Sequence, residues 1–281
     1  MSFVGLGLAV ALLAYGVVNV LGTGLVAVSF LHAARIPHAA VRARRLVLLR
    51  LLPSLSSLVA VGVFVVPAYL WFEPRDTMER VRAPMVALAA LGLLMLVAGP
   101  LRGLASVLAT RRISRRWRRS ATALSVPGIA LPALVVDESF PLVSVVGWLR
   151  PRLVVARSVL LCCDRDEIAA ILAHEAGHTE RRDPWVRLMV RACPDFLSLT
   201  PWADRMERVW TEAAEQDADE RAARTGPTRA LDLASALVKV ARLAGAGRPP
   251  AAAAMALYRG EGVSARVVRL LEREEGTQEA Q

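Results

Sequence analysis

Residues 1–34 carry no charged side chain. Within them, 3–31 is a largely apolar run of 29 residues, enough to cross a bilayer with tilt. No basic residue precedes the run, and it is too long for the apolar core of a signal peptide, so a removable leader is not expected. A second uncharged stretch covers 51–72, with Pro53 and Pro67 near its ends, where proline costs least. A third covers 83–101 and is prolonged by the apolar 103–110. In hydrocarbon every backbone polar group must be satisfied within its own segment. These stretches therefore predict three transmembrane helices, at about 3–31, 51–72 and 83–106.

Charge decides the orientation. The formal net charge is +10, with 55% hydrophobic residues and a mean hydropathy of +0.42. A basic chain first suggests nucleic acid. The hydropathy is wrong for a soluble nucleic-acid binder and excludes disorder for the bulk of the chain. Split by position, residues 1–119 carry +12 and residues 120–281 carry −2. The excess flanks the apolar runs. Arg35, Arg42, Arg44, Arg45 and Arg50 follow the first with no acid among them. The 73–82 loop balances three Arg with three acids. Arg102 and then Arg111, Arg112, Arg115, Arg116, Arg118 and Arg119 follow the third. The positive-inside rule places the N-terminus outside and everything after residue 120 in the cytoplasm, as in a multi-pass plasma-membrane protein. The 111–119 run reads as a topology determinant facing anionic lipid, and no direct nucleic-acid binding is expected. Trp117 fits an interfacial anchor. Cys162, Cys163 and Cys193 are too few and too oddly spaced for a disulfide framework, and read as small buried thiols.

After residue 120 the pattern becomes that of a water-facing domain. Three Val- and Leu-rich runs, 133–137, 142–147 and 152–156, predict a small sheet. Asp164 with Glu167 forms a capping box that opens a helix to about Arg182. Asp183-Pro184 and Thr200-Pro201 start the next two, the latter running to about Arg224, and 229–243 gives another. The 185–199 segment, interrupted by Arg187, Arg191, Pro194 and Asp195, suggests an amphipathic or buried helix touching the membrane surface. The layout is a membrane region over 1–119, a domain over 120–245, and a loop, short helix and tail over 246–281.

Two of only four histidines form His174-Glu175-Ala176-Gly177-His178. Spacing of four puts both imidazoles on one helix face, where one zinc ion can take both. Glu175 can accept a proton from the attacking water and return it to the leaving amine. A catalytic zinc needs a third protein ligand and an open position. No further histidine lies downstream, and Cys193 beside Pro194 has no partner, so a carboxylate must complete the set. Glu212, Glu215 and Asp219 share a helix face at spacings of three and four. Glu215, the central one, is the favoured ligand. Asp219 is placed to hold a ligand histidine by its free ring N–H.

The block from Asp166 through His174-Glu-Ala-Gly-His178 to Asp183-Pro184, the run Phe140–Val155 ahead of it and the Glu215-x-x-Ala-Asp219 segment resemble BlaR/MecR-type integral-membrane zinc metallopeptidases. They are also similar to the heat-shock and prenyl-processing membrane metallopeptidases. The resemblance implies a mainly α membrane protein: three transmembrane helices followed by an α+β gluzincin domain with a small sheet. It implies that His174, His178 and Glu215 bind zinc and that Glu175 is the general base. It implies that the strand near 142–146 is an edge that pairs with an extended substrate. Ala265–Leu271 looks like the Arg-Val-x-Arg-Leu element that follows the domain in these families. There are departures. Neither the further span nor the penicillin-binding domain of the β-lactam sensors is expected within these 281 residues, and Glu261-Gly262 stands where the prenyl-processing relatives carry His-Pro. The oxyanion-stabilising residue is therefore unassigned, with Tyr258, Arg266 and Arg269 as candidates. The expected activity is membrane-bound zinc endoproteolysis of a cytoplasmic repressor, of the chain itself or of damaged membrane proteins. The alternative is a zinc-bound signalling or scaffold protein without turnover.

Overall fold

The three uncharged runs form helices because no other segment-internal arrangement satisfies an apolar backbone. In the computed structural model, which describes residues 3–75, 83–124, 133–148, 151–245 and 262–278, they are α1 (Phe3–Ala33), a continuous helix over Ala39–Phe72, and α4 (Ala83–Ser120). The middle helix consists of α2 (Ala39–Val59), a π-helical stretch (Ala60–Val65) and α3 (Val66–Phe72). The π-helical stretch leads into Pro67, which has no N–H to donate and whose ring crowds the carbonyl four residues back; a wider turn relieves that crowding. All three helices are long and apolar enough to cross a membrane. Residues 76–82 of the second loop, 246–250 of the expected C-terminal loop, and Tyr258 lie outside the described residues.

The chain divides into two compact units, each built from separated segments. The first comprises Met1–Ser106 and Leu188–Ala213. Here α7 (Asp183–Ala192) ends, and a short turn and a 3-10 helix (Phe196–Leu199) seat themselves among the apolar helices. Tyr15 Oη donates to Pro194 O, and Asn19 Oδ1 accepts from Phe196 N at 2.7 Å. A Cβ on Gly99 would lie 2.6 Å from Ala192 O and 2.7 Å from Pro194 Cα, so only glycine allows this approach. The 185–199 segment is thus a helix, a break at Cys193–Asp195 and a 3-10 turn, not one amphipathic helix. Its polar backbone is satisfied by side chains from the apolar helices.

The second unit comprises Val107–Arg187 and Ala214–Gln281. Its sheet has the order β1-β2-β4-β3: β1 (Thr122–Leu124), β2 (Ala133–Val136), β4 (Arg152–Ala156) and β3 (Val143–Val146). β2 and β4 are parallel and the other pairs antiparallel, so β3 forms one edge. The three expected strands are present, and β1 and the short α5 (Arg157–Cys162) are additional. Leu142 O accepts from Ala156 N at 2.7 Å, and the antiparallel alternation then sends the Val145 N–H outward, away from β4. Trp117, expected as an interfacial anchor, is instead only 4% exposed. It lies in the core with the sheet, and its indole N–H donates to Glu138 at 2.8 Å. The reason is that α4 continues unbroken to Ser120, which carries Trp117 onto the sheet.

α6 (Arg165–Glu180) starts at the expected capping box: Asp164 accepts from Asp166 N and Glu167 N, and Glu167 accepts from Asp164 N. Glu167 also receives Ser235 Oγ at 2.5 Å and Lys239 Nζ at 2.6 Å, which ties the start of α6 to α9 (Arg229–Ala244). α8 (Pro201–Ala223) presents Ala214, Ala218 and Ala222, all fully buried. Gly177 of α6 faces Ala218, and these small residues let the two helices lie close. α10 (Val263–Gln278) closes the unit against α9. Among the described residues all three cysteines are free thiols.

Candidate metal centre

His174 and His178 stand one turn apart on α6 with their rings edge to face, centroids 4.8 Å apart. Their Nε2 atoms point toward one another at 3.2 Å. Each Nδ1 faces a carboxylate: Asp219 Oδ1 lies 2.9 Å from His174 Nδ1, and Asp183 Oδ2 lies 2.7 Å from His178 Nδ1. A carboxylate on Nδ1 keeps the proton there and leaves Nε2 as a lone-pair donor. Glu215 reaches the same point from α8, 3.5 Å from His174 Nε2 and 3.6 Å from His178 Nε2.

These separations fit a metal. One ligand atom from each of His174, His178 and Glu215 lies within 4.8 Å of the others. Zinc–ligand bonds of about 2.0–2.2 Å in tetrahedral array place neighbouring donors roughly 3.3–3.5 Å apart. Glu215 Oε2 is buried and makes no aligned hydrogen bond.

Glu175, one residue after His174, is 4% exposed and accepts the outward N–H of Val145 at 3.1 Å. Burial raises its pKa above the usual carboxylate range, against the pull of His178 and His174. That is the direction a proton-shuttling carboxylate needs.

Arg266 of α10 completes the charge balance. Its Nε and Nη2 donate to Asp219 at 2.9 and 2.6 Å, and its Nη1 lies 3.0 Å from Glu215 Oε2. Burial alone would raise both carboxyls; the guanidinium and the neighbouring histidines together outweigh it and hold both below their ordinary range. For His174, burial alone would lower the pKa, but its contacts with Asp219 and Glu215 raise it to about 9.

The structure thus brings together His174, Glu175, His178, Glu215 and Asp219, while Glu212 of the same acidic segment is exposed. Two participants were not apparent from sequence as such. Asp183 reads as a helix cap; Arg182 just before it takes a left-handed φ of 57°, and Asp183 then meets His178. Arg266, an oxyanion candidate, has its guanidinium on two carboxylates instead. No helix-turn spacing signals this pairing, because Asp219 lies 47 residues upstream.

Residues 108–202 match the model of Peptidase family M48. The match supports a metallopeptidase. It includes His174, Glu175, His178 and Asp183 and stops before Glu215, Asp219 and Arg266. With three helices long and apolar enough to cross a bilayer, it points to a membrane metallopeptidase. No curated protein and no solved structure matches the chain.

Proposed function

We propose that the chain is an integral-membrane zinc endopeptidase whose site faces the cytoplasm, with His174, His178 and Glu215 as zinc ligands and Glu175 as general base. The observation that carries this reading is the convergence of two Nε2 atoms and a buried carboxylate around one point, with Glu175 beside it. Zinc held there supplies Lewis acidity to the scissile carbonyl and to water. Glu175 takes the proton of the attacking water and passes it to the departing amine. Asp219 and Asp183 keep the two imidazoles in the tautomer that presents Nε2. An extended substrate adds to the edge of β3, where backbone pairing gives affinity with little demand on sequence. Glu175 is anchored on Val145 of that same strand, so the base sits beside the bond to be cut.

The substrate class is proteins, and the likeness to BlaR/MecR-type sensors favours a cytoplasmic repressor or the chain itself. The arginine-rich segments that flank the first and third apolar runs support the cytoplasmic orientation. The full chain in detergent, given casein and assayed for self-cleavage, tests the chemistry. Glu175→Gln should lower turnover by roughly 10²–10⁴-fold while one zinc stays bound. Full activity in that variant rejects the mechanism, and zinc binding without turnover in the parent protein indicates the scaffold reading. A reporter fused after Gln281 should register as cytoplasmic.

A further inference from the structure

A cavity of about 450 Å³ lies where the last turns of α4 pass the sheet, and the proposed chemistry does not use it. Arg111, Ser114, Trp117 and Arg118 of α4 line one side, with Trp148 and Arg152 opposite. Arg111, Ser114 and Arg118 recur at spacings of three and four, so they share a helix face. Arg152 is paired with Val146 in the β3–β4 register, at the end of the edge strand.

Charge makes this cavity unusual. Nearby Arg116 and Arg157 have carboxylates, Glu138 at 3.9 Å and Asp137 at 2.5 Å. Among the described residues, none of Arg111, Arg118 and Arg152 has a carboxylate within ion-pair distance; the Arg118 Nε donates only to Ser114 O of its own helix, at 3.3 Å. Three guanidiniums around one cavity repel each other unless an anion joins them. Guanidinium forks match phosphate oxygens, and indole rings suit the headgroup zone of a bilayer. The source of the phosphate follows from the helix. Arg111 comes directly after the uncharged run 103–110, within a helix that is itself a candidate membrane span. The nearest abundant phosphate to such a position is a lipid.

We propose that this cavity binds the headgroup phosphate of an anionic phospholipid through Arg111, Arg118 and Arg152. The inference stands apart from the peptidase reading. A seated headgroup would touch Val146, the neighbour of Val145, which holds Glu175, so lipid composition gains a route to the base.

The test uses the full chain in neutral detergent, titrated with dioctanoyl phosphatidylglycerol and read by tryptophan emission and native mass spectrometry. Dioctanoyl phosphatidylcholine, inorganic phosphate and a Glu-rich peptide are the comparison arms. One phosphatidylglycerol should be retained. At about 1 kcal/mol per arginine, the triple variant R111Q/R118Q/R152Q should lose about a hundredfold in affinity, and R112Q/R115Q/R119Q, with the same charge loss outside the cavity, about threefold. The single exposed variant Arg111→Gln should lose about fivefold with an unchanged unfolding midpoint, which separates lost binding from lost fold. Equal losses in the two triple variants overturn the site. Phosphate binding as tightly as phosphatidylglycerol, or retention of the acidic peptide with no lipid retained, overturns the lipid assignment.

Discussion

Arg50 and Arg266 are each 6% exposed and each bound to an aspartate, one in the unit of apolar helices and one in the unit with the sheet. Arg50 pairs with Asp195 and also meets Ser198 Oγ at 2.7 Å and Val190 O at 3.5 Å. Asp195 in turn accepts from Ser198 N at 2.8 Å and Ser54 Oγ at 3.3 Å. Charge balances charge there, and the carboxylate oxygens have donors. Around Arg266 one guanidinium serves two carboxylates, Glu175 adds a third acid nearby, and Glu215 Oε2 lacks an aligned donor. A buried ion pair is therefore not in itself a site. A balanced pair fixes a fold; a cluster in which carboxylates outnumber guanidiniums and a histidine must hold a proton has a place for another cation.

The contrast can be broken by substitution. The largest effect belongs to Arg50→Met. It should strand Asp195 without countercharge and cost about 3–5 kcal/mol of unfolding free energy, measured by denaturation in detergent, while zinc stoichiometry stays at the parent value. Zinc loss in this variant would show that the two clusters are coupled. Next is Arg266→Gln, which should weaken zinc binding by about 10–100-fold in competition with a chelating dye, with a much smaller shift of the unfolding midpoint. If Arg266→Gln only unfolds the protein, the contrast fails.

The smallest effect is that of pH. The metal-free His174 holds its proton up to about 9, and zinc needs the neutral ring. Zinc affinity should therefore fall by about tenfold per pH unit as pH drops below that value, with a proton released on binding, detectable by calorimetry in buffers of different ionisation enthalpy. Metal-free stability runs the other way. The raised pKa contributes fully below the ordinary value of 6.5 and is lost as pH rises through about 9. Parallel trends in loading and metal-free stability would remove His174 from the assignment.

Local rules made much of this legible in sequence. The capping box at Asp164, the helix start at Pro201 and the one-face spacings of His174 with His178 and of Glu215 with Asp219 depend on neighbours within one or two turns. The burial of Trp117 is not legible in sequence because its environment depends on whether α4 stops at the bilayer margin or runs on, and the apolar pattern does not mark that end. Asp183 carries two signals at once, a helix start and a histidine partner, and the local one hides the tertiary one. Arg266 stands in a recognisable Arg-Val-x-Arg-Leu element, but its pairing has no local signal, since that arises only when α10 meets α8.

On the proposed reading, Arg266 also bears on acid tolerance without lying among the zinc ligands. By helping to keep Glu215 and Asp219 ionised, it limits proton competition for a metal as the surroundings acidify. A chain shortened before α10 would retain His174, His178 and Glu215, and by motif would still pass for a peptidase. Its buried carboxylates would lack that countercharge, and their pKa values would rise. On the proposed reading, the last helix thus widens the acid range over which these two carboxylates stay ionised.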